Sequence, residues 1–205
     1  MGIGRRRILF VISAPSGTGK TTICERILQK IPDLKMSVSH TTRKQRPGER
    51  HGIDYYFVDK ETFQEMIKNE DFVEWAEVYG NFYGTSKKVI NELLSGGSDI
   101  LLDIDTQGAK NIKKLYPASV LIFILPPSIK ELERRLKKRN EEEETIRKRI
   151  EKASEEISQY IFYDYVIIND DLERAVSEVF CVICAERLKK DRINGKLMDK
   201  FKNGR

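Results

Sequence analysis

The chain has 205 residues, of which 40% are hydrophobic and 34% charged, with a formal net charge of +5. That length fits one α/β domain carrying an insertion, large enough to bury roughly 70% of the unfolded surface. No apolar run approaches the ~20 residues of a membrane span. The aromatic residues form no RNA-binding signature, and the mild positive surplus suits anionic small molecules.

The first element is an apolar strand within Arg6–Ser13, "RRILFVIS". Its basic and then apolar lead-in resembles a secretory signal, but the apolar part runs directly into a glycine-rich loop, which favours a strand. The loop is "APSGTGKTT", Ala14 to Thr22, and an amphipathic helix follows, ending at Pro32. Strand, glycine-rich turn and helix is the context of a phosphate-binding P-loop. Gly17 and Gly19 let several N–H groups converge on an anion, and the helix start adds its positive dipole end. Pro15, Ser16 and Thr18 complete the cradle for the phosphates of a nucleoside triphosphate, with Thr22 in the first helical turn. Lys20 is expected to reach the β- and γ-phosphates, and the Thr21 hydroxyl to ligate Mg²⁺. Ala14 stands where the pattern usually has its first glycine.

Residues 37–86 break the strand–helix alternation and read as a small inserted subdomain. The segment "TTRKQRPGERHGIDYYF" is turn-rich and carries Arg43, Arg46 and Tyr55, side chains that suit phosphate oxygens. His40 and His51 lie nearby without a catalytic partner and read as loop residues. A helix is expected at about 60–70. In "FVEWAEVYGNFYGTS", Glu74 is a carboxylate among apolar and aromatic neighbours, either a half-exposed strand position or a reader of two N–H groups.

The run "DILLDID" is a buried strand ending in acids. Asp103 and Asp105, two apart, share a side of an extended chain. Asp103 suits the acidic element that orients Mg²⁺ through water, and either aspartate suits a helix N-cap. "VLIFIL" and "YVIIND" are further strands, separated by helical patterns. The alternation specifies a parallel sheet with helices on both faces. Between those strands, "RRLKKRNEEEETIRKR" is charged on nearly every side and reads as a solvated helical hairpin or as a mobile, arginine-bearing flap with little apolar surface. A last helix starts near Leu172. Cys181 and Cys184 fall in its apolar pattern and are expected in the core, with no second ligand pair for zinc. Three cysteines without a disulfide framework suggest a reducing, cytoplasmic setting.

The motifs "APSGTGKTT", "SVSHTTRKQRPGERHGIDYYFV", "FVEWAEVYGNFYGTS", "LLDIDTQGAK" and "VIINDDL" occur in an order that resembles the guanylate kinase family and cover nearly the whole chain. The resemblance implies the reaction ATP + GMP to ADP + GDP with Mg²⁺. It implies a P-loop core with a five-stranded parallel sheet (1–36, 87–125 and 160–205), a GMP-binding α+β subdomain (37–86) and a helical lid (126–159). Carried over by position, Arg43, Arg46, Tyr55 and Tyr83 hold the GMP phosphate. Ser39, Glu74, Thr85 and Asp105 read guanine, and Arg135, Arg139 and Arg149 surround the transferred phosphoryl. Asn169 and Asp170 match a strand end near the adenine. The departures are Ala14, Thr85 where serine is common, and "NEEEET" after Arg139 where a glycine-threonine turn is usual. A related kinase acting on a ribose bisphosphate has no use for Glu74 and its hydroxyl neighbours. A phosphopeptide-binding module of the same family has no use for Lys20 and Thr21.

Overall fold

The computed structural model describes residues 5–78, 80–138, 142–193 and 198–199. In chain order its elements begin with β1 (Leu9–Ser13), α1 (Lys20–Lys30) and β2 (Leu34–Met36). Next come β3 (His40–Thr41), β4 (Tyr56–Phe57), α2 (Lys60–Lys68), β5 (Phe72–Val78) and β6 (Asn81–Ser86). The chain continues through α3 (Lys87–Ser95), β7 (Asp99–Asp103), α4 (Thr106–Leu115) and β8 (Val120–Leu125). It ends with α5 (Ile129–Lys137), α6 (Glu143–Ser158), β9 (Tyr165–Ile168) and α7 (Leu172–Leu188).

Five strands form a sheet in the order β2-β7-β1-β8-β9, with every neighbouring pair parallel. Parallel neighbours need crossover connections, which place helices on both faces. The pattern of β1 shows how this works. Phe10 and Ile12, with Ile8 just before the strand, enter one cluster with residues of α1 and α7. Leu9 and Val11 enter the other with residues of α3 and α4. A strand covered on both sides therefore reads as an unbroken apolar run.

The insertion forms its own four-stranded sheet, ordered β4-β3-β6-β5. Its hairpin is antiparallel, with Glu74 opposite Thr85 and Trp75 opposite Gly84, after a bulge between Phe72 and Glu74. Phe63 of α2 supplies the apolar backing, its ring stacked 4.5 Å from that of Phe72. His40 is in β3 rather than a loop, and its ring stacks on Tyr56 at 4.7 Å. His51 forms an isolated bridge with Tyr55, and its Nδ1 accepts from the Phe57 N–H.

Two expectations are corrected. The buried stripe of α7 is Ala175, Val176, Val179 and Ile183. Cys181 is two residues beyond Val179, about 200° around the helix, so it is exposed and Cys184 only partly covered. The segment after β8 is also not devoid of apolar surface. Leu132 and Leu136 of α5 are fully buried and cluster with Ile146 and Ala153 of α6.

At the amino end of the sheet, the buried Asp99 accepts from both terminal nitrogens of Arg5 (2.8 and 2.6 Å), the Ile8 N–H (2.9 Å) and Arg187 Nε (2.8 Å). Burial pushes this carboxyl up, but the Arg5 and Ile8 hydrogen bonds and the two arginine charges carry it below the ordinary aspartate value. The glycine-rich loop, Asp103 and Asn169 all lie at the opposite, carboxyl end, where open α/β sheets hold their ligands.

Candidate active site

The loop from Ala14 to Gly19 leaves β1 and turns into α1. Gly17 and Gly19 have φ of +91° and +95°, a left-handed conformation that L side chains rarely adopt. Space closes the same positions. A Cβ on Gly19 would stand 2.7 Å from Asn169 Nδ2, and one on Gly17 would stand 2.9 Å from Leu136 Cδ2. Ala14 is not among the residues with positive φ and packs against the core, so the loop needs no glycine there.

No side chain caps α1, and its first turn carries no acid. Its leading N–H groups and dipole are thus left for an anion. Thr21 and Thr22 are exposed in that first turn, as is Ser16 in the loop, while Pro15 and Thr18 are buried. Lys20 Nζ lies 2.5 Å from Asp103 Oδ1 and donates to the Ile104 carbonyl at 3.2 Å. Asp103 and Asp105, left open between two roles by their spacing, diverge here. Asp105 caps α4 by accepting from the Gly108 N–H at 2.8 Å, and Asp103 pairs with the lysine.

Asn169, just beyond β9, is buried and donates its amide to the Thr18 carbonyl at 2.6 Å. Arg135 of α5 donates to the same carbonyl (3.3 Å), to the Asn169 carbonyl (2.9 Å) and to Glu131 (2.9 Å). Arg149 of α6 donates to Ser16 Oγ at 3.0 Å. Two arginines therefore already lie against the loop, one on its backbone and one on its rim. Arg139 lies outside the described residues. Asp170 engages Arg174 and the Asp171 N–H rather than the loop.

Across from the loop, Arg43 stands 5.4 Å from the ring centre of Tyr55, whose ring lies 6.0 Å from that of Tyr83. Glu49 ties this corner together, accepting from Arg43 at 2.7 Å and from the Arg46 N–H at 2.8 Å. Nothing in the motif reading singled out Glu49, although its place three residues after Arg46 matches the turn that closes there. Arg46 itself is exposed. Burial raises the Tyr55 hydroxyl above its usual pKa, with Tyr83, Glu49 and Asp103 adding to the rise and Arg43 opposing it.

On the same sheet, the buried Thr85 hydroxyl donates to Glu74 Oε1 at 2.5 Å. The Glu74 carboxyl is raised above the ordinary glutamate value, first by burial and further by Asp105, against the Thr85 hydrogen bond and the charge of Lys20. Ser39 is half-buried beside this sheet, its carbonyl accepting from the Tyr56 N–H. A cleft of about 450 Å³ between α2, β5 and the start of α4 is lined by Glu74, Trp75, Asp105, Gly108 and Asn111. It approaches the carboxylates from the α4 side and leaves out Arg43, Tyr55 and Tyr83.

Two further groups face the same centre without a motif to mark them. Burial pushes the Tyr163 hydroxyl up to about 12, with Ser13 opposing and Asp105 and Glu156 adding. Glu156 of α6 is raised by burial, with Lys152, Asp105 and Lys20 as its charged neighbours. Each is remote in sequence from the loop, and the Tyr163 ring packs 4.7 Å from that of Phe123 in β8.

The family model described as guanylate kinase matches residues 6–186. The chain is 51% identical to a guanylate kinase of Carboxydothermus hydrogenoformans, over 93% of this chain and 94% of that one. It is 47% identical to one from Geobacter metallireducens, over 98% and 99%. The crystal structure of guanylate kinase from Anaplasma phagocytophilum superposes with a TM-score of 0.73 at 36% identity, covering 93% of this chain and 92% of the other.

Proposed function

The chain belongs to the guanylate kinase family, and from that premise we propose how its residues divide the work of moving the γ-phosphoryl of ATP to the phosphate of GMP. The carrying observation is the Glu74–Thr85 pair, a half-buried carboxylate bonded to a buried hydroxyl, within the field of the P-loop lysine. Guanine presents adjacent N1–H and N2–H donors and an O6 acceptor, whereas adenine presents a lone pair at N1. Glu74 accepts from the two guanine donors through the lone pairs that Thr85 leaves. The Thr85 proton is spent on Glu74, so Ser39 is the hydroxyl left for O6. Asp105, whose carboxylate caps α4, completes the base-reading set. A site of matched hydrogen bonds rejects the wrong partner by roughly 10⁴-fold or more.

Arg43, Arg46, Tyr55 and Tyr83 hold the GMP phosphate. Glu49 keeps the Arg43 guanidinium in place and shares it with the incoming anion. On the donor side the loop from Ala14 to Thr22 wraps the ATP phosphates, and Asn169 buttresses it near the adenine. A GMP phosphate oxygen attacks the γ-phosphorus in line, the bond from that phosphorus to the β–γ bridging oxygen breaks, and ADP leaves. The acceptor is already an anion, so no general base or covalent enzyme intermediate is required. What remains is alignment and charge neutralisation, supplied by Lys20 and by Arg135, Arg139 and Arg149.

The donors available for a metal are the Thr21 hydroxyl and the Asp103 carboxylate, hard oxygens in the number that Mg²⁺ takes when phosphates and water fill the rest of its octahedron. Thr21 would ligate it directly and Asp103 through water. The ion neutralises phosphate charge when bound with ATP. No helix among the described residues is long and apolar enough to cross a membrane.

An ADP-release assay with ATP, Mg²⁺ and, in turn, GMP, AMP, UMP and a ribose bisphosphate tests the reading. GMP is expected to be turned over in strong preference. Equal turnover of AMP, or activity with the ribose bisphosphate alone, overturns it.

A further inference from the structure

Gly108 is the third residue of α4, and its main-chain N–H donates to the Asp105 carboxylate at 2.8 Å. A glycine inside a helix is destabilising relative to alanine, so its presence calls for a reason. Its φ lies outside the left-handed range, so backbone conformation does not require glycine. Space does. A Cβ there would stand 2.8 Å from Glu74 Cγ, 3.4 Å from Glu74 Cβ and 3.2 Å from Ile104 Cδ1. The nearest clash is with the stem of Glu74 rather than a freely moving tip, so relief has to move the carboxylate or push α4 away from β5.

We propose that Gly108 is a positioning residue for base selection. The inference rests on the reading of Glu74 and Asp105 as the carboxylates that face guanine. Gly108 touches both. Its N–H fixes the Asp105 carboxylate, and its missing side chain lets Glu74 lie against the first turn of α4 while still reaching Thr85. A methyl group at position 108 rotates Glu74 off the Thr85 hydroxyl and withdraws its lone pairs from the two N–H donors of the base. Glu74 contacts the base and Gly108 acts through it, so the loss belongs to GMP binding and not to the transfer step.

Steady-state kinetics of G108A, in the wild-type background and combined with E74Q, test this. KM for GMP is expected to rise about 10-fold or more, while kcat and KM for ATP stay within about 2-fold, as for a lost binding contact. The GMP-to-AMP preference falls in step. In the E74Q background G108A adds little, because two changes acting through one carboxylate are not additive. Should G108A also lower the thermal midpoint, E74A,G108A regains it relative to G108A, since the atom in the way is gone. An unchanged KM for GMP, an additive effect with E74Q, or a midpoint that E74A fails to restore each overturns the proposal. Wild-type enzyme that turns over GMP and AMP equally removes the base-reading premise itself, whereas a selective wild type with an indifferent G108A removes this inference alone.

Discussion

Lys20 sits between the Asp103 carboxylate and the Ile104 carbonyl, so its ammonium is held at the carboxyl end of β7. Charge spreads over the transferring oxygens during phosphoryl transfer, and a fixed cation there acts mainly on the transition state. By analogy with other preorganised donors, worth about 3 kcal/mol, Lys20→Ala is expected to lower kcat roughly 10²-fold or more with the fold intact by circular dichroism. Near-normal kcat would remove Lys20 from the reaction. Glu74 makes a pH-dependent prediction. Burial holds its carboxyl above the ordinary glutamate value, yet the proposed contact with two base N–H groups needs it ionised. kcat/KM for GMP should therefore fall as pH drops through a value above the usual glutamate range, and Glu74→Gln should lack that limb. The sign for stability is opposite. A raised carboxyl favours folding at low pH, and that contribution is lost as pH rises through the folded-state value. The P-loop was legible in the sequence because its chemistry is contiguous from Ala14 to Thr22. Glu74 and Thr85 are 11 residues apart, and only the hairpin register joins them. Their spacing alone carried no signal, and the family resemblance did.

Among the elements, α5 departs furthest from its sequence pattern. Its residues are mostly charged, yet Leu132 and Leu136 are fully buried. They close over Gly17, and Arg135 beside them is bonded to the carbonyls of Thr18 in the loop and Asn169 beyond β9. An apolar stripe of two leucines is too short to stand out from charged neighbours, and its partners, Ile146 and Ala153, come from the next helix. Similarly, the helical spacing of Cys181 and Cys184 was readable, but which face of α7 meets the sheet was set by Val176, Val179 and Ile183. The docking of α5 has a consequence. Leu136→Ala is expected to cost about 2–5 kcal/mol locally, the range for emptying a buried leucine site. Because the site borders the loop, KM for ATP should rise more than KM for GMP. Equal effects on both would mean that α5 supports the fold without shaping the donor site.

At the scale of the molecule, the parallel order of the sheet and its two covered faces followed from alternating apolar and helical segments, since each crossover demands a helix. The contact between the inserted sheet and α4 did not follow, because it depends on long-range packing of β5 against that helix. Asp99 ties Arg5, ahead of β1, and Arg187, in the last turn of α7, to the amino end of the sheet. Its carboxyl is held below the ordinary aspartate value. The resulting stability is present above the unfolded-state value and is lost as pH falls through the folded-state one. Asp99→Asn leaves two arginines facing a neutral amide. It is expected to destabilise the chain by about 3–5 kcal/mol in denaturant titrations, as for removal of one partner of a buried pair. Activity per folded molecule should be unchanged, and a fall in kcat would tie this network to the chemistry. The Asp99 clamp thus strengthens the fold at the end of the parallel sheet opposite the glycine-rich loop. Substitutions around Asp99 and Arg187 can tune how long the protein survives heat or acid without reaching Lys20, Glu74 and Gly108, where changes are expected to alter turnover or nucleotide preference.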